Sequence, residues 1–380
     1  MAKRILFISK YPPLQGGIAS RTYWLAQELA RRGHSIHVVT HAGETTPQYS
    51  CTSSEEAALT DVNITVHSTA ESMPWHIPDD PERTLVMLDL CLRIVDAEAI
   101  DVVDSGYLVP YGIVGHLVQQ LRHVPHVVRH GGSDIARFLD LPVLARLLAD
   151  TLQTADAVVM DRLHEERVKR IRHDAICLPA YVPPAEFRPV TTRADRPPRV
   201  AYIGKVNYYW RFKELARIAA IMSSLAPDVE TMFVAQGNGL ESFRTTLQPE
   251  AASSTTWRLF VHPARMPRLL SSLDAVFALT SSQPHPDYSN LVAEAFCAGV
   301  GIITDTADMP YVYADVVAPA EGQVLVLPEG ESASSSAWRI ASWLKERQVD
   351  HPCRPTRRTS FSAYVSQNEA VYDAVAATRC

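Results

Sequence analysis

The sequence predicts an α/β protein made of two doubly wound parallel-sheet domains. Short apolar runs of strand length alternate with longer amphipathic segments along most of the chain, which is the pattern of parallel strands joined by helices. The chain has 380 residues, of which 47% are hydrophobic, whereas a single core stops growing near roughly 250–300 residues. We therefore expect two cores.

The first domain begins with a strand, a glycine-containing loop, a helix and a second strand. Ile5–Ser9 and Ile36–Thr40 are the predicted strands, and Ile18–Arg32 is the helix between them. This β-loop-α-β order is typical of doubly wound sheets. The stretch Gly43–Asp80 is expected to be rich in loops. Later apolar runs continue the alternation at Val102–Val103, Val127–Val128, Ala157–Met160 and Ala175–Leu178.

A proline-rich and charged stretch over Tyr181–Arg199 predicts an interdomain linker. We place the first domain at residues 1–183, the linker at 184–198 and the second domain at 199–350. A helix within residues 361–380 is expected to cross back and pack on the first domain.

The second domain repeats the alternation of strands and helices. Its predicted strands are Val200–Gly204, Thr231–Ala235, Arg258–His262, Ala275–Leu279, Ile302–Thr304 and Gln323–Leu327. Its predicted helices are Lys213–Leu225, Met266–Leu273 and Ser332–Glu346, and the returning helix is Phe361–Val375.

The composition bears on the possible partners. The formal net charge is −6, whereas a nucleic-acid surface needs a clustered basic excess, so no nucleic-acid partner is expected. No apolar segment has membrane-spanning length, no secretory leader is evident, and the six cysteines form no C-x-x-C pair. These features favour a cytoplasmic location. A membrane contact through Arg137–Arg146 and Arg162–Arg172 stays open, but the acids between these cations favour a solvated face.

Glu294 places one carboxylate inside an apolar helix directly after a polar loop. The loop follows the predicted strand Ala275–Leu279, and open α/β sheets bind ligands at the carboxyl ends of their strands. A helix that opens at Ser289 or Asn290 directs N–H groups, such as those of Asn290 and Leu291, toward a ligand, which favours a phosphate. Glu294 would then accept hydroxyl hydrogens from the same ligand. The alternative is a surface glutamate that caps its own helix.

Two glycine turns follow predicted strands. Gly16 and Gly17 precede the first helix, and Gly237 opens a Gly-Asn-Gly turn after Thr231–Ala235. Glycine allows the backbone to approach a ligand closely, and a following helix supplies N–H donors. Plain tight turns are the alternative. Because neither turn is a G-x-G-x-x-G, a nicotinamide dehydrogenase is not favoured.

Two lysines flank the loop after the first strand of the second domain. Lys205 follows that strand, and Lys213 begins the next helix. Both positions suit contact with an anion between the domains, although a solvated loop is the alternative. In the first domain, His130 follows the apolar run Pro125–Val128 and is a candidate hydrogen-bonding group at an interdomain cleft. Its neighbours Arg129 and Asp134 are competing candidates, and an ordinary loop histidine remains an alternative.

Segments along nearly the whole chain resemble the retaining glycosyltransferases of family 4, which have the GT-B fold with two Rossmann-like domains. The resemblance is carried by Tyr11-Pro12-Pro13 with Gly16-Gly17, Ala155–Val159, Val182–Pro189, Gly204-Lys205 with Lys213, Ala264–Ser282, Asp287–Asp305 and Phe361–Tyr372. It implies that Lys205 and Lys213 hold the donor diphosphate and that Glu294 binds the ribose.

One position departs from the family's pattern of two glutamates eight residues apart. Pro286 stands eight positions before Glu294, and Asp287 is the nearby acid. In the family the first acid meets the donor sugar, so contact of Asp287 with the sugar is an open hypothesis. The alternatives are a loop shifted by one residue, a donor sugar held differently, or altered activity.

The resemblance implies transfer of a sugar, with retention of configuration, from a nucleoside diphosphate sugar to a hydroxyl acceptor. That acceptor would be a glycan, a lipid-linked compound or a small natural product. We expect catalytic roles for His130, Lys213 and Asp287, and no cofactor. The chain has no Asp-x-Asp, which weakens the case for a bound metal, and lysines and helix amides would meet the diphosphate charge instead. The alternatives are a GT-B sugar-nucleotide epimerase and a nucleotide-sugar-binding protein that has lost catalysis.

Overall fold

The structure is a computed structural model that describes residues 2–41, 50–51, 63–69, 81–189, 196–205, 212–236, 255–258, 260–279, 290–308, 313–349 and 355–378. The chain divides into two compact units. Unit 1 consists of Met1–Tyr181 together with Phe361–Cys380, and unit 2 consists of Val182–Ser360.

Unit 1 contains a seven-stranded sheet with helices between its strands. Its strands are β1 Arg4–Ile8, β2 Ser35–Thr40, β3 Ile64–Ser68, β4 Val102–Gly106, β5 His126–Arg129, β6 Ala157–Met160 and β7 Ile176–Cys177. Its helices before the unit boundary are α1 Gly17–Arg31, α2 Pro81–Glu98, α3 Ile113–Arg122, α4 Ser133–Phe138, α5 Pro142–Thr154 and α6 Glu165–Lys169.

The strands of unit 1 run parallel in the order β3-β2-β1-β4-β5-β6-β7. The inner strands are apolar along most of their length because helices cover both faces of the sheet. One core lies against α2 and α3 and includes Leu6, Val103 and Met87. A second core lies against α5 and includes Val158 and Leu148.

Unit 2 contains a six-stranded sheet and a separate pair of short strands. Its strands are β8 Arg199–Lys205, β9 Glu230–Gln236, β10 Thr255–Arg258, β11 Ala275–Phe277, β12 Gly301–Thr304, β13 Val317–Ala318, β14 Val324–Val326 and β15 Thr356–Arg357. Its helices are α7 Phe212–Leu225, α8 Met266–Ser271, α9 Asn290–Cys297 and α10 Ala333–Val349. The sheet order is β10-β9-β8-β11-β12-β14, with all pairs parallel.

The last helix, α11 Phe361–Ala377, belongs to unit 1. It contacts α1, β4 and β5. Arg32 donates to the Glu369 carboxylate at 2.5 Å and to Ser362 and Ser366, and Lys3 pairs with Asp373. The ion pairs lie partly in solvent, so the buried side chains of α11, including Val365 and Tyr372, provide most of its attachment.

The predicted fold class is confirmed, because both units have the parallel strand order of a Rossmann-like fold and the returning helix lies in unit 1. The strand expected at Arg258–His262 is wrong, since β10 ends at Arg258. His262 accepts from the Ala264 amide at the start of a turn that begins with Pro263, which commits this segment to a helical turn. Strand β3 lies within Gly43–Asp80, where we expected mainly loops.

In the part of the chain that the structure describes, no helix combines the length and apolar character needed to cross a membrane.

Candidate functional site

In unit 1, the strand order reverses between β1 and β4, which are hydrogen-bonded neighbours. Open parallel sheets bind ligands at the carboxyl ends of the strands beside such a reversal. Gly16 precedes α1 with φ 123°, a backbone conformation that favours glycine, and α1 begins at the exposed Gly17. A pocket opens in the same region, and its polar lining includes Arg21, Asp104, Arg129, His130, Asp161 and the ring of Tyr364.

Arg129 and Asp104, which both line this pocket, form a buried ion pair. Arg129, the last residue of β5, donates through Nε to both carboxylate oxygens of Asp104, at 3.0 and 2.7 Å. The Tyr372 hydroxyl of α11 donates to Asp104 Oδ2 at 2.7 Å. Asp104 has no exposed surface, and these bonds offset the cost of burying its charge. The ion pair therefore fixes the returning helix to two strands of the sheet.

His130 lies directly after β5, as the sequence predicts, and its side chain is 3% exposed. Its Nδ1 accepts from the Gly132 amide at 3.1 Å, and its Nε2 accepts from the Asp161 amide at 3.3 Å. Nε2 also lies 4.0 Å from Asp161 Oδ2, which is too long for a hydrogen bond. Burial lowers the pKa of His130, although Asp161 and Asp134 oppose this shift.

Asp161 was not among the sequence candidates. It directly follows β6, and its Oδ1 accepts from the backbone nitrogen and from Nδ1 of His164, at 3.1 and 3.0 Å. Burial alone would raise the pKa of Asp161, but the His164 hydrogen bonds and the nearby His130 lower it to about 2. The side chain therefore stays a carboxylate at neutral pH. Its position after a predicted strand was a usable signal in the sequence.

His130, Asp161 and His164 each offer one atom of a kind that binds metals, and these three atoms lie within 4.8 Å of one another. A neutral histidine that coordinates a metal through Nε2 carries its proton on Nδ1. In His130, Nδ1 faces the Gly132 amide hydrogen and acts as an acceptor. The hydrogen bonding of His130 therefore disfavours coordination through Nε2.

Asp134, a competing candidate in the sequence, has a structural role, because its carboxylate accepts hydrogen bonds from backbone amides. Its Oδ2 accepts from the Leu108 amide at 2.8 Å, and its Oδ1 accepts from the Gly131 and Ile135 amides. Leu108 begins the helical turn that follows β4. The Leu108 amide, at the start of this turn in unit 1, thus already donates to a carboxylate.

In unit 2, the strand order reverses between β8 and β11. Among the described elements, α9 is the next helix after β11. Asn290 and Leu291 form its first turn, and both are buried. Glu294 lies one turn further on with 3% exposure. All eight residues of α9 are buried, so the alternative of a surface glutamate is wrong.

The remaining predicted residues are described in part or lie outside the described residues. Lys205 is the last residue of β8, and Lys213 is the second residue of α7, and the structure describes only the backbone of these two. Gly237 and Asp287 lie outside the described residues. Their roles remain predictions.

Comparisons with known proteins agree with this architecture. Residues 16–167 match a family model described as a glycosyl transferase 4-like domain. Sucrose-phosphate synthase from Thermosynechococcus elongatus is similar at 15% identity with a TM-score of 0.62, over 99% of this chain and 97% of that one. HepE from Anabaena, solved in complex with UDP-glucose, is similar at 13% identity with a TM-score of 0.64, over 99% of both chains.

A putative UDP-N-acetylglucosamine 2-epimerase from Listeria monocytogenes is similar at 10% identity with a TM-score of 0.63, over 98% of this chain and 96% of that one. No curated protein matches the sequence. At these identities the solved structures define the fold. The chain is a protein of the glycosyltransferase GT-B fold. The match to a glycosyl transferase 4-like domain lies within its first unit, over residues 16–167.

Proposed function

We propose that this protein is a retaining glycosyltransferase that moves a sugar from a nucleoside diphosphate sugar to a hydroxyl acceptor. The observation that carries the proposal is the buried Glu294 in a helix that starts at Asn290, after the strand beside the reversal in unit 2. The glycosyl transferase 4-like match in unit 1 supports the same class of reaction.

The start of α9 has the chemistry that a diphosphate requires. The first amides of a helix have no partner within the helix, and its dipole places partial positive charge at that end. A phosphate at Asn290 and Leu291 would accept from these amides. Glu294 lies one turn further along, within reach of the ribose attached to that phosphate. A ribose presents hydroxyl hydrogens, which a carboxylate accepts.

Lys205 and Lys213 would complete the diphosphate site, and we propose that they act in place of a metal ion. Breaking the glycosidic bond places negative charge on the leaving diphosphate. Cations and amides that meet this charge stabilise the transition state more than the ground state. Gly16, Gly17 and Gly237 would let the backbone approach the donor closely.

We assign contact with the donor sugar to Asp287, as the replacement for the missing first glutamate, and contact with the sugar or the acceptor to His130. Retention of configuration is implied by the family resemblance. In such a reaction the leaving diphosphate can itself receive the acceptor proton, so no protein base is required.

A binding experiment tests the nucleotide site. UDP, GDP and ADP, each alone and as its glucose conjugate, are titrated into the full chain, and the rise in melting temperature is measured. We expect at least one nucleotide to stabilise the protein. Glu294→Gln should weaken binding of that nucleotide about tenfold, since a hydrogen bond to a charged group contributes roughly 1.5–3 kcal/mol.

Glu329→Gln is the matched control, because Glu329 is an exposed acid elsewhere in unit 2. It should bind like the wild type. Equal nucleotide affinity in Glu294→Gln and in the control would contradict the ribose assignment. If none of the nucleotides binds, the proposed function fails.

The similarity to the putative epimerase supports a second candidate function, a sugar-nucleotide epimerase. The two functions differ in their need for an acceptor. Incubation with UDP-N-acetylglucosamine alone, followed by proton NMR of the sugar, separates them. Appearance of the 2-epimer without an acceptor would favour the epimerase, whereas transfer that requires an added hydroxyl compound would favour the glycosyltransferase.

A further inference from the structure

A pair of histidines joins the edge strand of the unit 1 sheet to its neighbour. His37 lies in β2 and His67 in β3, and the register of the two strands pairs His37 with Thr65. His67 is two residues further along β3, so both histidine side chains project from the same face of the sheet. His37 Nδ1 and His67 Nε2 lie 3.1 Å apart and share a hydrogen bond. This bond is therefore a cross-strand contact between β2 and β3.

The two imidazole rings meet edge to edge. Their planes differ by 13° and their centroids are 5.4 Å apart, which is about the largest separation that two imidazoles can have when their nitrogens are 3.1 Å apart. The rings are therefore nearly coplanar, with the N–H of one directed at the lone pair of the other. A metal ion between two in-line nitrogens would hold them roughly 4 Å apart, since a zinc–nitrogen bond is about 2.0–2.1 Å. The geometry thus fits a shared proton.

Strand β3 depends on this bond because it buries little else. Of its five side chains only that of Ile64 is buried, and three of the others are exposed. An edge strand with so little apolar burial is held mainly by its backbone pairing and by cross-strand side-chain contacts. His37 is 6% exposed and His67 is half-buried, so little water competes for the bond between them.

The bond between the two rings tolerates one added proton but not two. In the neutral pair, one ring donates and the other accepts. A single added proton leaves a charged donor facing a neutral acceptor, which keeps the bond and strengthens it. With a second proton, both facing nitrogens carry hydrogen, so the bond is lost and two cations face each other. The two rings therefore titrate as a coupled pair.

The charged groups around the pair do not cancel this repulsion. Burial lowers the pKa of both histidines, and His37 lowers the pKa of His67 further. Glu98, at the end of α2, opposes both shifts, whereas Arg4 of β1 adds to the lowering of the His37 pKa. Glu98 and Arg4 are exposed, so solvent and salt screen their effect. The neutral pair is therefore the main form at pH 7.

We propose that the His37–His67 pair is an acid-sensitive lock on the edge strand of unit 1. While at least one ring is neutral, the pair holds β3 on β2. When both rings are protonated, β3 separates from β2 and water hydrates each imidazolium. The lock does not depend on the proposed function, because neither histidine is among the residues assigned to the donor or the acceptor.

The lock opens as the pH falls. In the released strand the histidines are exposed and have a pKa near about 6.5, so both take up protons below that pH. The closed pair resists the second proton, so the released strand binds more protons and becomes more populated in acid. Between pH 7 and pH 5 the second proton alone favours release by more than about tenfold.

Hydrogen exchange of the full-length chain measures this release. Exchange of Ile64–Ser68 in β3 and of Arg4–Ile8 in β1 is followed at pH 7 and pH 5, and the rates are corrected for the pH dependence of intrinsic amide exchange. We expect the protection of β3 to fall by more than about tenfold from pH 7 to pH 5. The protection of β1 should fall clearly less, because the lock acts on β3 alone.

His67→Gln tests the lock most directly, since a glutamine amide can donate to His37 or accept from it but takes up no proton. This variant should keep the protection of β3 at pH 7 and lose most of the fall at pH 5. His173→Gln, at an exposed histidine of unit 1, is the matched control and should keep the full pH dependence of β3.

Nitrogen-15 NMR of the wild-type histidine side chains tests the pair without any substitution. His37 and His67 should titrate in two coupled steps that lie more than about one pH unit apart.

Three results would overturn the proposal. They are an equal loss of protection in β3 and β1, a full pH dependence of β3 in His67→Gln, and independent titration of the two histidines. Saturable Zn²⁺ binding at pH 7 that His67→Gln abolishes would also overturn it, in favour of a metal site.

Discussion

The two units share a strand order but differ at the helix that follows the first strand beyond the reversal. In unit 1 this strand is β4, and the Leu108 amide in the following turn already donates to the buried Asp134 carboxylate. In unit 2 this strand is β11, and the next helix starts with Asn290 and carries its own carboxylate, Glu294, one turn later. In the proposed function, Glu294 would bind the ribose of a nucleotide whose phosphate meets this helix start.

This difference in the residues after β4 and β11 bears on the chemistry of the two units. In unit 1 the Leu108 amide, at the start of the helical turn after β4, already donates to the Asp134 carboxylate. In the proposed function, unit 2 binds an anion at the start of α9 with the help of Lys205 and Lys213. A shared topology can carry different chemistry, because the side chains at the strand ends differ.

The largest expected effect concerns the diphosphate site that we propose in unit 2. Lys213→Ala should lower turnover of the nucleotide sugar by about 10²–10³, since it removes a preorganised cation from the transition state. The measurement is kcat with saturating donor. Lys345→Ala, an exposed lysine of α10, is the control and should keep wild-type turnover. Unchanged turnover in Lys213→Ala would refute its assignment.

A second prediction concerns the attachment of α11 to unit 1. Tyr372→Phe removes the hydroxyl that donates to Asp104 at 2.7 Å. Loss of a hydrogen bond to a buried charge should lower the free energy of unfolding of unit 1 by about 1.5–3 kcal/mol. Hydrogen exchange of β4, β5 and α11 measures this loss, and the exchange of unit 2 should not change.

Tyr364→Phe is the matched control on the same helix, because it leaves the hydrogen bond from Tyr372 to Asp104 intact. If both variants lose equal stability, the bond to Asp104 contributes nothing specific. Faster exchange in unit 2 would mean that the effect is not confined to the unit that contains α11.

The smallest expected effect is a pH dependence in unit 1. Burial lowers the pKa of His126 to about 3, and the nearby His116 adds to the shift. Below about pH 6.5 the unfolded chain therefore binds a proton at His126, whereas the folded protein does not bind it until the pH nears 3. The free energy of unfolding consequently falls as the pH drops from about 6.5 toward 3. At pH 5 the loss from His126 is about 2 kcal/mol.

Urea unfolding at pH 7 and pH 5, followed by hydrogen exchange in β5, measures this loss. His126→Gln should reduce the pH dependence of unit 1, whatever it does to stability at pH 7. His173→Gln, at an exposed histidine, should leave the pH dependence unchanged. An equal pH dependence in the two variants would show that His126 is not the group responsible.

Much of the fold could be predicted from the sequence because the buried strands are continuous apolar runs. His130 and Glu294 could be selected for the same reason, since each is a polar residue placed next to such a run or inside an apolar helix. The edge strand β3 was not predicted, because three of its five residues, Thr65, Val66 and Ser68, are exposed and the stretch around it is mostly polar. Edge strands bury only part of their surface and so carry a weak pattern.

The pairing of His130 with Asp161 could not be predicted, although each follows a run that the sequence marks as a strand. Their proximity depends on β5 and β6 being neighbours in the sheet, and the apolar pattern does not give the strand order. The same holds for Asp104 and Tyr372, which lie 268 positions apart. Long-range polar contacts follow from topology, so only the structure reveals them.

A crystal structure of the full chain with the nucleotide that binds best among UDP, GDP and ADP tests the central claim most directly. We expect the diphosphate oxygens to lie within hydrogen-bond distance of the Asn290 and Leu291 amides, with the ribose hydroxyls on Glu294. A nucleotide that leaves the start of α9 empty and instead places its diphosphate against the unit 1 pocket beside His130 would contradict the account.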